Sequence, residues 1–104
     1  MARITLPDGR WLDMRTMTVN DELVMDDLGA AGSEAEATTE DDPKAAESAY
    51  GRYMGLLRQT KAILVAATTA TSWGGDAGDM GRDAMFELVS QWRKAGEDAA
   101  VPPG

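Results

Sequence analysis

Asp42-Pro43-Lys44-Ala45-Ala46-Glu47-Ser48-Ala49-Tyr50-Gly51-Arg52-Tyr53-Met54-Gly55-Leu56-Leu57-Arg58-Gln59-Thr60-Lys61-Ala62-Ile63-Leu64-Val65-Ala66-Ala67 is the stretch that decides the fold. Asp42 is a good N-cap, and Pro43 suits the first helical position, where its missing N–H costs nothing. Tyr50, Tyr53/Met54, Leu57, Lys61, Leu64, Thr68 and Thr71 follow a three-four rhythm, with Lys61 the lapse. Ile63 and Val65 widen the apolar surface, and Gly51 and Gly55 are tolerable interruptions. The pattern predicts one long central helix from Pro43 to about Ser72. Thr68-Thr69-Ala70-Thr71 lowers helix propensity near its end.

Downstream, Trp73-Gly74-Gly75-Asp76-Ala77-Gly78 is a helix stop and a flexible loop. A final helix is predicted from about Met80 to Ala95, with Asp79 as its cap and Gly96 as its end. Met85, Leu88, Val89 and Trp92 make one apolar face. This helix is expected to pack antiparallel against the central one. Residues 98–104, closing on Val101-Pro102-Pro103-Gly104, read as a disordered tail.

Upstream, Arg3-Ile4-Thr5-Leu6 alternates polar and apolar residues, Pro7-Asp8-Gly9 is a turn signal, and Arg10 to Arg15 can return as a second strand. Ile4, Leu6, Trp11 and Met14 are the candidates for the buried face of this β-hairpin. A lone hairpin is barely stable, so it must pack on something else. Thr18 and Asp21 resemble a capping box opening a short helix from about Val19 to Leu28, stopped by Gly29. Residues 30–42 carry no large apolar side chain and dense negative charge, and are expected to form an acidic flexible linker. The expected fold is therefore mainly α with a short N-terminal β-hairpin. Its parts are residues 1–29 (hairpin and short helix), 30–42 (linker), 43–97 (helical hairpin) and 98–104 (tail), making one domain.

The totals narrow the function. The 104 residues contain no Cys and no His. That removes disulfides, thiol nucleophiles, Cys/His zinc sites and imidazole bases together. Net charge is −8, and Asp21 to Glu47 holds ten acidic residues against one basic residue. Such a field repels nucleic acid and anionic lipid, so neither is expected as a partner. The longest strongly apolar run, Ala62 to Ala67, is far short of a membrane span, and the start does not read as a signal peptide. A soluble protein in the cytoplasm of the producing cell is expected.

Asp76, Gly81 and Glu87 match positions one, six and twelve of a calcium loop, but Gly78 and Met80 occupy places that need oxygen ligands. The Gly74–Gly81 region lacks the Lys-Ser/Thr of a phosphate loop. No carboxylate pair lies in a visibly apolar setting, and Asp8 and Asp13 read as turn and surface groups. No catalytic residue, metal or cofactor is expected, and the chain reads as a non-enzyme. Only 6% of residues are aromatic, and Trp is enriched at binding hot spots, so Trp11, Trp73 and Trp92 merit attention. The residues expected to meet a partner are Trp11, Leu57, Leu64, Leu88 and Trp92. Much of the apolar content is Ala and Met, so self-association into a homo-oligomer, or a partner, is expected to complete the burial.

The opening Ile4-Thr5-Leu6-Pro7-Asp8-Gly9-Arg10-Trp11-Leu12-Asp13-Met14-Arg15 resembles the start of small proteins from the structural-gene blocks of tailed bacteriophages of actinobacteria. The family it resembles is the long-tailed phage tail assembly chaperone. The resemblance implies a helical body and a role in morphogenesis: coating the hydrophobic tape measure protein while tail-tube subunits assemble. It implies other phage structural or assembly proteins as partners and the host cytoplasm as the place of action. Related small proteins of the same gene blocks are virion parts, so a permanent head, neck or tail subunit is the alternative. The family supplies no catalytic residues.

Overall fold

A computed structural model describes residues 2–37 and 43–100. Its elements, in order, are β1 (Ala2–Thr5), β2 (Trp11–Met14), α1 (Val19–Ala37), α2 (Pro43–Ala67), β3 (Thr68–Thr71), a 3-10 turn (Ala77–Asp79) and α3 (Arg82–Ala100). The fold is mainly helical and opens with an antiparallel hairpin. The chain divides into two compact units, Met1–Thr18 with Ile63–Gly104, and Val19–Ala62.

The first unit is built on a three-stranded antiparallel sheet in the order β1-β2-β3. The Pro7-Asp8-Gly9 turn closes the hairpin as its sequence dictates. Gly9 takes a positive φ of 93° that side chains disfavour, and its N–H donates to the Leu6 carbonyl at 2.9 Å. The Asp8 carboxylate accepts from the Arg10 backbone N–H at 2.9 Å. Ile4 faces Leu12, and Thr5 faces Trp11. Strand alternation then puts Ile4, Leu12 and Met14 on one buried face, with Leu6 buried just beyond β1. Trp11 falls on the opposite face, against the expectation that it would share the buried one with Ile4. Register decides this, because one residue's offset flips a side chain across the sheet.

The third strand corrects the expected end of the central helix. α2 stops at Ala67 and the chain passes directly into β3. Three of its four residues are Thr, whose branched side chains fit a pleated strand better than a helix. The Thr68 hydroxyl donates to the Leu64 carbonyl at 2.7 Å, satisfying an acceptor of the last helical turn. Backbone bonds from Arg15 N–H to the Ala67 carbonyl and from Ser72 N–H to the Trp11 carbonyl, both 3.0 Å, extend the pairing beyond the strand ends. The register slips between Asp13 and Met14.

After β3 the Gly-rich loop is held by its own side chains. Asp76 and Asp79 form a reciprocal capping box: the Asp76 carboxylate accepts from Gly78 N–H at 2.7 Å, and Asp79 accepts from Asp76 N–H at 2.9 Å. Asp79 thus belongs to the 3-10 turn, not to the start of α3. α3 contacts β1 and turns Met85, Leu88 and Trp92 into the core. It runs through Gly96 to Ala100, beyond the expected end at Ala95. A Cβ at Gly96 would lie 3.8 Å from the Met17 Cβ, so the small residue sits beside Met17. Of the expected tail, residues 98–100 are helical, and 101–104 lie outside the described residues.

In the second unit α2 packs on α1. The short helix expected at Val19–Leu28 continues to Ala37, so residues 30–37 are helix and not linker; residues 38–42 lie outside the described residues. Packing supplies what propensity lacks. Leu28 and Ala31 are buried, and Gly32 approaches the Tyr53 ring so closely that an added Cβ would touch Cε2 at 3.4 Å. Arg52 reaches Glu34 at 3.2 Å on the same pair of helices. Within α2, the buried Thr60 hydroxyl donates to the Leu56 carbonyl at 2.9 Å. The helix found packed along α2 is therefore α1, whereas α3 lies against β1.

Candidate protein-binding surface

α1 carries apolar residues on two sides. Asp21 and Glu22 occupy its first turn, where carboxylates favour the positive end of the helix dipole. Met25, Leu28 and Ala31 recur every three residues and are buried. Val19 and Leu23, one turn apart, are 69% and 56% exposed. Helical spacing continues their stripe through Asp26, Asp27, Ala30 and Glu34, all exposed. The open face is thus aliphatic at its first turn and acidic further on. Tyr50 on α2 is also largely exposed.

The five expected partner-facing residues separate into two groups. Leu64 and Leu88 have no exposed surface and Trp92 has 1%, so all three belong to the internal core. Their expected role at a partner surface is corrected: the chain covers them itself. Trp92 further donates its Nε1–H to the Arg15 carbonyl at 2.7 Å. Leu57 and Trp11 are half-buried. Trp11 lies under the Arg3 guanidinium, 3.8 Å from the ring centroid, and Arg3 also grips Asp13 through two bonds of 2.8 and 3.0 Å. Trp73 donates to Asp79 at 3.3 Å with Arg10 stacked 5.2 Å from its ring. Each Trp is thus tied into the first unit.

The shifted carboxylates are surface ion pairs. The Arg3 side-chain hydrogen bonds hold the Asp13 carboxyl below its ordinary range, and the same contact raises Arg3. Asp8 is lowered first by the Arg10 backbone N–H and then by the Arg10 guanidinium at 2.7 Å. Both shifts favour the ionised form, the reverse of what a general acid at neutral pH needs. A small notch of about 50 Å³ in the first unit is lined by Ala2, Arg15, Thr16, Met17, Trp92, Ala95 and Gly96. Its volume suits one small side chain.

Among the described residues, no group of three or more acidic, His or Cys side chains is placed to hold a metal ion. No helix among them is long and apolar enough to cross a membrane. Sequence reasoning missed Val19 and Leu23 as open residues. The 100° step per residue sets buried Leu28 on the far side of the helix from Val19. No protein-family model, curated protein or solved structure matches this chain.

Proposed function

We propose that this chain is a non-enzymatic morphogenesis protein of a tailed phage, a tail assembly chaperone that binds the tape measure protein through apolar helical surface. The observation that carries the reading is the pair of open aliphatic side chains, Val19 and Leu23, on a helix that buries Met25, Leu28 and Ala31 on its other side. A partner that covers this pair would remove its apolar area from water. The resemblance of Ile4–Arg15 supplies the biological setting, and a net charge of −8 suits a protein that must keep a sticky client in solution. Leu57, half-buried in the same unit, remains available to that partner.

Co-expression with the tape measure protein of the same gene block tests this. The expected result is a soluble complex, formed in the host cytoplasm, from which the chain is absent once virions are purified. Light scattering on the free protein checks for the accompanying homo-oligomer. Mass spectrometry that finds abundant copies at fixed stoichiometry in virions would instead select the permanent head, neck or tail subunit. Failure to hold any co-encoded protein would remove both readings.

A further inference from the structure

The open face of α1 has a chemical bias that specifies its occupant. Val19 and Leu23 form the apolar end; Asp26 and Asp27 follow within the next turn, and Glu34 stands further along the stripe. Between Thr16 and Pro43 the sequence contains no Lys or Arg. We propose that this face docks a basic amphipathic helix of another protein, whose aliphatic side chains cover Val19 and Leu23 while its Lys or Arg residues meet Asp26 and Asp27. The inference rests on the protein-binding reading above and adds the chemistry of the partner.

Complementarity selects the occupant. A basic helix brings opposite charge to the Asp26–Asp27 part of the strip, which favours encounter and fixes direction, while Glu34 is already paired with Arg52 at 3.2 Å. The aliphatic pair then gives an anchor, because burying a Leu side chain removes apolar area that charge alone leaves wet. A second copy docking α1 in parallel would oppose carboxylates with carboxylates, and an antiparallel copy would bring Asp26 and Asp27 no cation, so a basic helix of a different chain is the better match. Asp26 already takes part in an interaction within the chain, so the partner's cation joins an existing set of contacts there.

The test uses the full chain and a labelled synthetic helix with Leu at i and i+4 and Lys one turn further on. Fluorescence anisotropy should show saturable binding that weakens as salt rises. Val19→Ser with Leu23→Gln should weaken it by about tenfold or more. Asp26→Asn with Asp27→Asn should weaken it and flatten its salt dependence. Phe86→Ser, which alters an exposed aromatic of α3, should leave it unchanged. Circular dichroism of each variant confirms that the helices are intact. A peptide with Glu in place of Lys that binds equally well would overturn the proposal, as would unchanged affinity in the Val19/Leu23 variant. A dimer that this variant dissociates would also overturn it, since the occupant would then be a second copy. If the unaltered chain holds the tape measure protein in a Val19/Leu23-dependent way yet binds the Lys and Glu peptides equally, this inference fails alone. If peptide binding behaves as described and no co-encoded protein is held, the surface stands and the assembly reading falls.

Discussion

The indole Nε1–H of Trp92 donates to the backbone carbonyl of Arg15 at 2.7 Å, fastening α3 to the chain just past β2. The ring is 99% buried and the Arg15 guanidinium lies 5.6 Å from its centroid. Trp92→Phe keeps an aromatic ring but leaves that carbonyl without this donor. It should cost about 1–3 kcal/mol in urea denaturation. Arg15→Ala keeps the carbonyl and loses the stacked cation together with the exposed bond that its guanidinium donates to the Thr16 carbonyl at 3.1 Å, so it should cost less than about 1 kcal/mol. Equal losses in the two variants would show that the hydrogen bond is not the dominant contact.

Core and surface leucines should separate cleanly. Leu64→Ala and Leu88→Ala remove fully buried side chains and should each cost about 2–5 kcal/mol. Leu57 is half-buried, so Leu57→Ala should cost less than either. Thermal unfolding of the three variants side by side gives the ranking. A Leu57 variant as damaged as the Leu64 variant would move Leu57 into the core.

Gly75 is required by its neighbours. A Cβ there would collide with the Asp79 carboxylate and the Trp73 indole, which are themselves hydrogen-bonded. Gly75→Ala should therefore disturb the capping box and shift the near-ultraviolet signal of Trp73, with a loss of about 1–2 kcal/mol. Gly51→Ala makes a useful contrast. Nothing lies within 4 Å of its added Cβ, and Ala favours the helix, so stability should rise by up to about 1 kcal/mol.

Acid should loosen the hairpin in a defined window. The folded pKa of Asp13 is depressed, principally by the Arg3 side-chain hydrogen bonds. A depressed carboxyl stabilises the fold above its unfolded value, about 3.9, and that contribution disappears as pH falls through the folded value. Carboxyl titration by NMR should place Asp13 below the ordinary range, and Arg3→Gln should return it upward. The same variant should show a shallower loss of stability below about pH 4. An Asp13 that titrates identically with and without Arg3 would contradict the ion-pair account.

The long helix and the hairpin were legible because their signals are local: Pro43 at a helix start, a three-four apolar rhythm, and Pro-Asp-Gly between alternating residues. β3 was not, because Thr68–Thr71 has no strand partner nearby in sequence and pairs with distant β2. Residues 30–37 misled for a related reason. Their small side chains and negative charge read as linker, yet Gly32 and Ala31 are small where a helix approaches Tyr53 or becomes buried. The same ambiguity governed the candidate surface. Periodicity located the apolar positions of α3 and α2, but could not say that Leu64, Leu88 and Trp92 are consumed internally while Val19 and Leu23 are left open.

The two halves of the sheet differ in when they can form. β1 and β2 meet across a tight turn, whereas β3 reaches β2 only after the chain from Arg15 to Ala67 has been made and its ends brought together. Closing that long excursion costs entropy before any pairing returns it. On a ribosome the hairpin can emerge and zip early, but its outer edge stays unpaired until Thr68–Thr71 leaves the exit tunnel. The interval between those events is when this protein is most exposed to pairing with the wrong strand.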